Sequence, residues 1–316
     1  MVGSGSRAGQ TAQTELSPSP RLSVIVATVE AARNIDRCLT SILGATEGLG
    51  AETWVLDASQ DQSASLAARH VGHERVLRFG CGTTTLALWA KGIERARGQV
   101  VVLTTGHFHV ESSWARALLA AVHDDIAGAA GTIVLDRDAS VLDEAIYYLR
   151  YAAYLDPQYT PGHEVKMIPA DNAAYDASAL ARYHDLHPDM FQEVDFHRRL
   201  FSEGKRLSVV GGATATFGRS YPLPVILRHR FAHGREFAGA RIRNAGMSPI
   251  RIVAAAPLVP LVLAARAART ALPLRDHRFR FLRSLPLLLL LASAWASGEV
   301  AGALSRRSPP QDSVGA

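Results

Sequence analysis

The run LSVIVAT (22–28) is followed by a segment in which Ile35, Cys38, Leu39, Ile42 and Leu43 recur at helical spacing. A short continuous apolar run reads as a buried strand, and the three-four spacing as an amphipathic helix. Asn34 stands where a helix N-cap is expected. The alternation then repeats. TWVLDAS (53–59) predicts a second strand ending in an acid, 63–71 a helix, and ERVLRF (74–79) a third strand. TLALWAKGIERARG predicts a helix closed by Gly98, and QVVVLTT a fourth strand. Ser112 is set to cap a helix with Trp114, Leu118, Leu119 and Val122 inward, and GTIVL (131–135) predicts another strand. Strands alternating with helices at this spacing indicate an α/β fold, a mostly parallel central sheet with helices on both faces. Ligands in such sheets bind beyond the carboxyl ends of the strands. Asp57 and the segment 104–109 fall at such ends.

The second half is patterned differently. A tyrosine-rich helix is expected over 140–155, then a strand, loop and helix in VKMIPADNAAYDASALARY. FQEVDFHRRLFSEG predicts an amphipathic helix ended by Gly204. After a short β stretch (206–217), PLPVILRHRFAHGREFAGARIR predicts a long basic helix.

Two segments, 252–265 and 285–298, each run 14 residues without charge. Both are shorter than the roughly 20 residues that span a bilayer, although the second reaches Leu304 if Glu299 is tolerated. Between them stand Arg266, Arg269, Arg275, Arg278, Arg280 and Arg283. Positive charge favours the cytoplasmic side. The pattern predicts a hairpin lying in the cytoplasmic leaflet with its arginines on anionic headgroups; the alternative is two buried helices of the core. The expected organisation is a tail (1–20), a main domain (21–245), a membrane-associated helical hairpin (246–304) and a second tail (305–316). The first 20 residues lack an apolar run and read as a flexible tail, not a signal peptide.

Composition narrows the partners. The chain is 48% hydrophobic and 20% charged, which fits a folded protein, and its net charge of +5 favours an anionic partner. No nucleic-acid-binding motif accompanies that charge, so no nucleic-acid partner is expected. Two cysteines, Cys38 and Cys81, build neither a disulfide framework nor a zinc site.

Taken in order, five segments resemble the family 2 glycosyltransferases, which are inverting enzymes with a GT-A fold. SVIVATVEAARNIDRCLTSIL is similar to the family's opening strand and helix, where Thr28 and Glu30 fall on the donor side. VLDASQDQS resembles its second-strand acidic motif, with Asp57 at the acid that contacts the nucleotide base. KGIERARGQVVVL resembles the approach to the family's DxD motif, and PADNAAYDASAL the acceptor-side loop, with Asp171 and Asn172 as acceptor contacts. QEVDFHRRLFSEG resembles the helix that carries the catalytic base. Aligning Leu200 and Gly204 places Glu193 at the base position, with Asp195 as the fallback. The resemblance covers about residues 21–240.

The chain departs from that pattern at the DxD, which makes it a divergent member. Thr104 and Gly106 stand where the metal-binding carboxylates belong, followed by Thr105 and His107. No tightly bound cofactor is therefore expected, although Mg²⁺ or Mn²⁺ remains compatible. His107 and His109 point the same way in an extended segment and form the alternative ligand pair. The donor phosphates are expected to be held chiefly by protein cations, with His229, His233 and Arg235 on the basic helix and His107 at the strand end, and Thr104 and Thr105 are placed among the donor-binding residues. Each residue also has an ordinary reading: turn chemistry for Asp57, Asp171 and Asn172, a macrodipole contact for Glu193, and a solvated face for the basic helix.

The resemblance implies a glycosyltransferase at the cytoplasmic face of the cell membrane, peripheral or monotopic. It would move a sugar from a nucleotide-diphosphate donor to a lipid-linked or cell-surface polysaccharide acceptor. The partners implied are the nucleotide sugar, that acceptor and an anionic membrane surface. Two other readings stay open: a catalytically silent relative that binds a nucleotide sugar or acts as a membrane scaffold, and a soluble α/β binding protein.

Overall fold

β1 (Leu22–Thr28) is buried along its whole length, because parallel strands flank it on both edges and helices cover both faces. The computed structural model describes residues 19–123, 125–185, 188–218 and 222–305, with the backbone alone at 244 and 245. Apart from 19, 20 and 305, the two expected tails lie outside the described residues. After β1 come α1 (Ile35–Thr46), β2 (Ala51–Asp57), α2 (Ser63–Val71), β3 (Val76–Arg78) and α3 (Thr85–Ile93). β4 (Val100–Thr105), β5 (Phe108–Val110), α4 (Trp114–Ala121), β6 (Ile126–Ala130), β7 (Ile133–Leu135) and α5 (Val141–Tyr151) follow. The second half holds β8 (Glu164–Val165), β9 (Asn172–Asp176), α6 (Ala177–His184), α7 (Glu193–Ser202), β10 (Arg206–Val209) and β11 (Ala215–Phe217). It closes with α8 (Leu223–Ala245), α9 (Pro249–Ala255), α10 (Val259–Ala271) and α11 (Arg275–Leu304).

The main sheet has the order β3-β2-β1-β4-β9-β6-β10-β8. β3, β2, β1 and β4 are parallel, and β9 enters antiparallel between β4 and β6. β5, β11 and β7 form a small second sheet. The α/β expectation holds, and the carboxyl ends of β1, β2 and β4 share one edge.

Several local expectations are corrected. Asn34 occupies the N-cap position of α1, but its side chain does not cap; its Nδ2 lies 3.3 Å from His107 Nδ1. Ser113, not Ser112, precedes α4, and it too makes no cap bond; its hydroxyl donates to Gly212 O. Gly98 does not close a helix, since α3 ends at Ile93. Its amide donates to Ser23 Oγ, and an added Cβ would sit 2.5 Å from Ser23 N, so its role is close approach of two chain segments. β6 escaped the periodicity because IAGAA carries almost no bulk. A Cβ at Gly128 would come within 2.8 Å of Leu207 and Tyr175, whose side chains fill that space.

The C-terminal helices are not a separate appendage. α9 and α10 pair with α11 as a hairpin, but α11 also runs along α8 with backbone against backbone. Cβ atoms at Gly234, Gly298 and Gly302 would fall 2.2, 2.0 and 2.4 Å from the carbonyl oxygens of Trp295, Phe231 and Arg235. Only glycine permits that approach. Arg283 clasps Glu144 of α5 with two bonds of 2.7 and 2.6 Å, and Arg280 lies 3.4 Å away. These two arginines therefore serve the main domain, not headgroups. The outer surface differs. Ile250, Leu258, Leu261, Phe279 and Leu282 are exposed, Ile250 by 79% and Phe279 by 70%. Arg251, Arg266, Arg269, Arg275 and Arg278 stand among them, also exposed. By length and composition the helical stretches 249–271 and 275–304 could each cross a membrane, with mean hydropathies of 1.8 and 1.6.

Candidate active site

Two clefts meet beyond the carboxyl edge of the sheet. The first, about 220 Å³, is bounded by the ends of β1 and β2 (Val29, Glu30, Ala58, Gln60), by residues 81–86 before and in α3, and by α8. The second, about 260 Å³, lies between α3, α5, the Pro169–Asp171 loop, the start of α7, and the α8–α11 pair. Leu86, Trp89, Arg150, Arg230 and His233 line both. Trp89 is held in place by its indole N–H, which donates to Thr104 O at 2.9 Å. A group bound in one cleft therefore meets a group bound in the other at Arg150 and Arg230.

Glu193 opens α7 and faces the second cleft. Its Oε2 accepts a 3.0 Å hydrogen bond from Ala170 N. Burial, reinforced by the nearby Asp171 carboxylate, pushes its pKa up to about 7. A carboxylate in that range is a competent base near neutral pH. Asp171 lines the same cleft, and Arg150 Nη2 donates to both its oxygens.

Other expected residues are placed elsewhere. Asp195 lies two positions, about 200° of helix, beyond Glu193; it sits 3.8 Å from Arg198 and does not line the cleft. Asn172 is fully buried and structural. Its Oδ1 accepts from Trp114 Nε1, and its Nδ2 donates to Thr132 O and Ala213 O. Thr28 and Asp57 stand behind the wall of the first cleft. Thr28 Oγ1 and Ser59 Oγ both donate to Asp57 Oδ1, at 2.8 and 2.6 Å, which fixes the turn that presents Ala58 and Gln60. Glu30 does line the first cleft. It sits at φ 51°, where its Oε1 accepts from Gln60 N and its own amide donates to Ser59 Oγ.

His107 does not reach either cleft. Its ring bridges Val29 O (3.1 Å from Nε2) and Asn34, and it borders a separate polar depression on the α1 side with His109 and Asp136. Burial and the Arg37 charge hold His109 below the usual histidine range. On α8, His229 and His233 line the first cleft as expected, but burial, then neighbouring arginines, push them down to about 4 and 3. They are neutral donors or acceptors, not cations. Arg235 points away: it is exposed and borders neither cleft, because two residues beyond His233 is the opposite side of the helix.

The residues at the family's metal position do not fit a divalent ion. Thr104 and Thr105 are buried in β4, and Thr104 Oγ1 has no hydrogen-bond partner among the described residues. A Cβ at Gly106 would lie 2.6 Å from Thr28 Cγ2, so a carboxylate has no room there without a shift. Among the described residues no group of three or more His, Cys, Asp or Glu could hold a metal.

Three cleft residues were missed from sequence: Arg150, Arg230 and Trp295. Arg230, His233 and Phe237 recur at i, i+3 and i+7, the spacing of one helix face, and that signal was available. Arg150 and Trp295 are brought in by tertiary packing alone.

A family model described as glycosyl transferase family 2 matches residues 23–183, just over half of the 316-residue chain. No curated protein sequence matches the chain. Among solved structures, a mannosyltransferase from Pyrobaculum calidifontis, in complex with GDP-Man and Mn²⁺, aligns with a TM-score of 0.50 at 16% identity. It covers 88% of this chain and 87% of that one. S. aureus TarS aligns with a TM-score of 0.48 at 14% identity over 84% of this chain, which spans only 54% of that one. A shorter form, TarS 1–349 in complex with UDP, aligns at 0.45 and 15% identity, covering 88% and 92%. At such identities the likeness to the mannosyltransferase is one of fold. The family match ends before α7, so the case for Glu193 rests on the geometry of the cleft.

Proposed function

The chain belongs to glycosyl transferase family 2 and has a GT-A type fold, and from that premise we propose that it is an inverting transferase using a nucleotide-diphosphate sugar. The nucleotide occupies the first cleft, against Glu30, Ala58 and Gln60, and the acceptor occupies the second. Glu193 Oε2 is engaged by Ala170 N, which leaves Oε1 for an acceptor hydroxyl. As the acceptor oxygen bonds to the anomeric carbon, its proton passes to Glu193. The bond from that carbon to the diphosphate oxygen breaks, and the nucleoside diphosphate departs with the electron pair. The configuration at the anomeric carbon inverts.

The observation that carries this reading is a half-buried carboxylate, raised to about 7, in a cleft that shares its inner wall with the first cleft. The acceptor is amphiphilic in this reading, a lipid-linked or envelope glycan reached at an anionic membrane surface. The support is the exposed apolar and arginine-bearing face of α9–α11, whose inner side delivers Trp295 to the acceptor cleft. The protein then works as a peripheral or monotopic protein on the cytoplasmic face of the membrane.

The test is turnover of UDP-, GDP- and dTDP-sugars by the purified protein with membrane lipid extract as acceptor, scored by product and anomeric configuration. Release of nucleoside diphosphate that disappears in Glu193→Gln supports the reading. Tight nucleotide-sugar binding without turnover by either protein would point to the silent relative instead.

A further inference from the structure

The diphosphate of a nucleotide sugar must be neutralised as it leaves, and the acidic metal motif is not built here. Two cations stand where the clefts join. Arg230 lies in the wall of both, its guanidinium 4.3 Å over the Trp295 ring. Its Nε is buried without a hydrogen-bond partner, and among the described residues no carboxylate pairs with it. Arg150 faces the same junction and is tied by one nitrogen, Nη2, to Asp171. Two arginines thus share a half-enclosed site in which Asp171 is bonded to Arg150, while Glu193 in the second cleft and Glu30 in the first form no ion pair with Arg230 among the described residues.

A half-buried guanidinium with no carboxylate bonded to it is costly in the empty protein. Burial and the Arg150 charge both lower the pKa of Arg230, which shows how poorly its surroundings match it. Structural arginines in this chain are matched: Arg283 has Glu144, Arg241 has Glu299, and Arg75 has Glu52. Among the described residues Arg230 is the exception, and it sits where the two clefts join. The planar guanidinium is also the side chain best suited to grip paired phosphate oxygens.

We infer that Arg150 and Arg230 form a diphosphate-binding clamp that takes the place of a divalent cation, Arg230 supplying the unmatched charge and Arg150 bridging from Asp171 to the phosphates. This rests on the donor reading above but is tested apart from it. The clamp binds the diphosphate of the donor nucleotide. The same chemistry could arrive on a lipid diphosphate, which the probes below separate.

The experiment is calorimetric titration of the full-length protein with inorganic pyrophosphate, UDP, GDP and farnesyl diphosphate, in EDTA and again in Mn²⁺. Expected are UDP or GDP binding in EDTA within about threefold of that in Mn²⁺, and displacement of pyrophosphate by that nucleotide. Arg230→Gln and Arg150→Lys should each weaken binding by roughly 10- to 100-fold, the range of one charge-assisted contact. Arg235→Gln, off the cleft, should bind as wild type. Arg230→Met guards against misfolding: it should melt at or above the wild-type temperature without ligand, yet lose the ligand-induced rise. A strict Mn²⁺ requirement, wild-type affinity in the Arg230 variants, or pyrophosphate displaced by farnesyl diphosphate but by neither nucleotide would each overturn the clamp. Metal-free binding with no sugar transfer would leave the clamp standing and defeat the transferase reading alone.

Discussion

Arg150 Nη2 donates to both carboxylate oxygens of Asp171, at 2.6 and 2.7 Å, and Asp171 is the charge that helps raise Glu193. The proposed base and the proposed cation clamp are therefore linked through one carboxylate. When Arg150 is drawn toward phosphate, Asp171 is less neutralised, and Glu193 becomes a stronger base as the donor arrives. The first prediction concerns this coupling. Transfer should rise with pH through about 7 as Glu193 loses its proton. The apparent pKa for kcat, measured with donor saturating, should lie above that for kcat/KM. A flat profile between pH 5.5 and 8.5 would count against Glu193 as the base.

Glu193→Gln should lower transfer by roughly 10²–10⁴ with little change in nucleotide affinity. It should also stabilise the protein. A carboxyl whose folded pKa exceeds its unfolded value binds more protons when folded, so stability falls as pH rises from about 4.5 to about 7. The glutamine variant escapes that loss. Its melting temperature should exceed wild type at pH 8, and the gap should close as pH approaches 4.5. Loss of activity with reduced stability at pH 8 would indicate a structural role instead.

Asn172→Ala should behave as a core lesion. It strips the partner from Trp114 Nε1 and from the buried Ala213 carbonyl, while Thr132 O keeps its bond from Ala215 N. Each group left unsatisfied costs about 1–3 kcal/mol. A clear drop in melting temperature with acceptor KM within a few-fold of wild type is expected. The reverse outcome would restore the acceptor contact read from the sequence.

Gly298→Ala places a methyl 2.0 Å from Phe231 O, a backbone atom that cannot swing aside. The α8–α11 pair must part, at a cost of about 1–3 kcal/mol or more, and Trp295 must shift. Stability and transfer should fall together. Gly44→Ala in α1, with nothing within 4 Å of its added Cβ, should instead be neutral or stabilising by about 0.5–1 kcal/mol.

The membrane reading is tested on the outer face alone. Ile250→Asp, Leu261→Asp and Phe279→Asp together should abolish flotation with anionic vesicles while leaving melting and soluble nucleotide binding unchanged. Deleting 246–316 is a poorer test. It removes Arg280 and Arg283 from the fully buried Glu144, and the shortened chain should not fold stably. Wild-type vesicle binding by the triple variant would remove the case for this surface.

The first half of the fold was legible because its signal is local. β1, α2 and β4 fall within a residue or two of where apolar runs and helical spacing put them. The start of α7 was legible through the distance of Glu193 from Leu200 and Gly204, and that helix does bring Glu193 to the second cleft. What stayed hidden depends on neighbours far along the chain. Thr28 and Asp57 look like ligand contacts until Ser59 is seen to close over them. Whether His229 and His233 act as neutral rings or as cations was open from sequence, and burial beside Arg150 and Arg230 favours the neutral ring. Arg150 carries no signal by itself, because its meaning comes from Asp171 and Arg230. The packing of α11 on α8 and α5 stayed hidden for the same reason: hydropathy marks an apolar helix but not which of its faces is taken.

Trp295 enters the acceptor cleft from a helix that begins 82 positions after Glu193 and is locked there by Gly298 and Gly302. During synthesis the carboxylate of Glu193 is made long before that wall exists. At ribosomal speeds of roughly 5–20 residues per second, the interval from Glu193 to Gly302 is about 5–20 seconds. A nascent chain halted in that window would have its nucleotide cleft and its base but an open roof, with Arg230 lacking the ring it rests on. In the proposed reading, activity would therefore wait on the docking of α11 against α8.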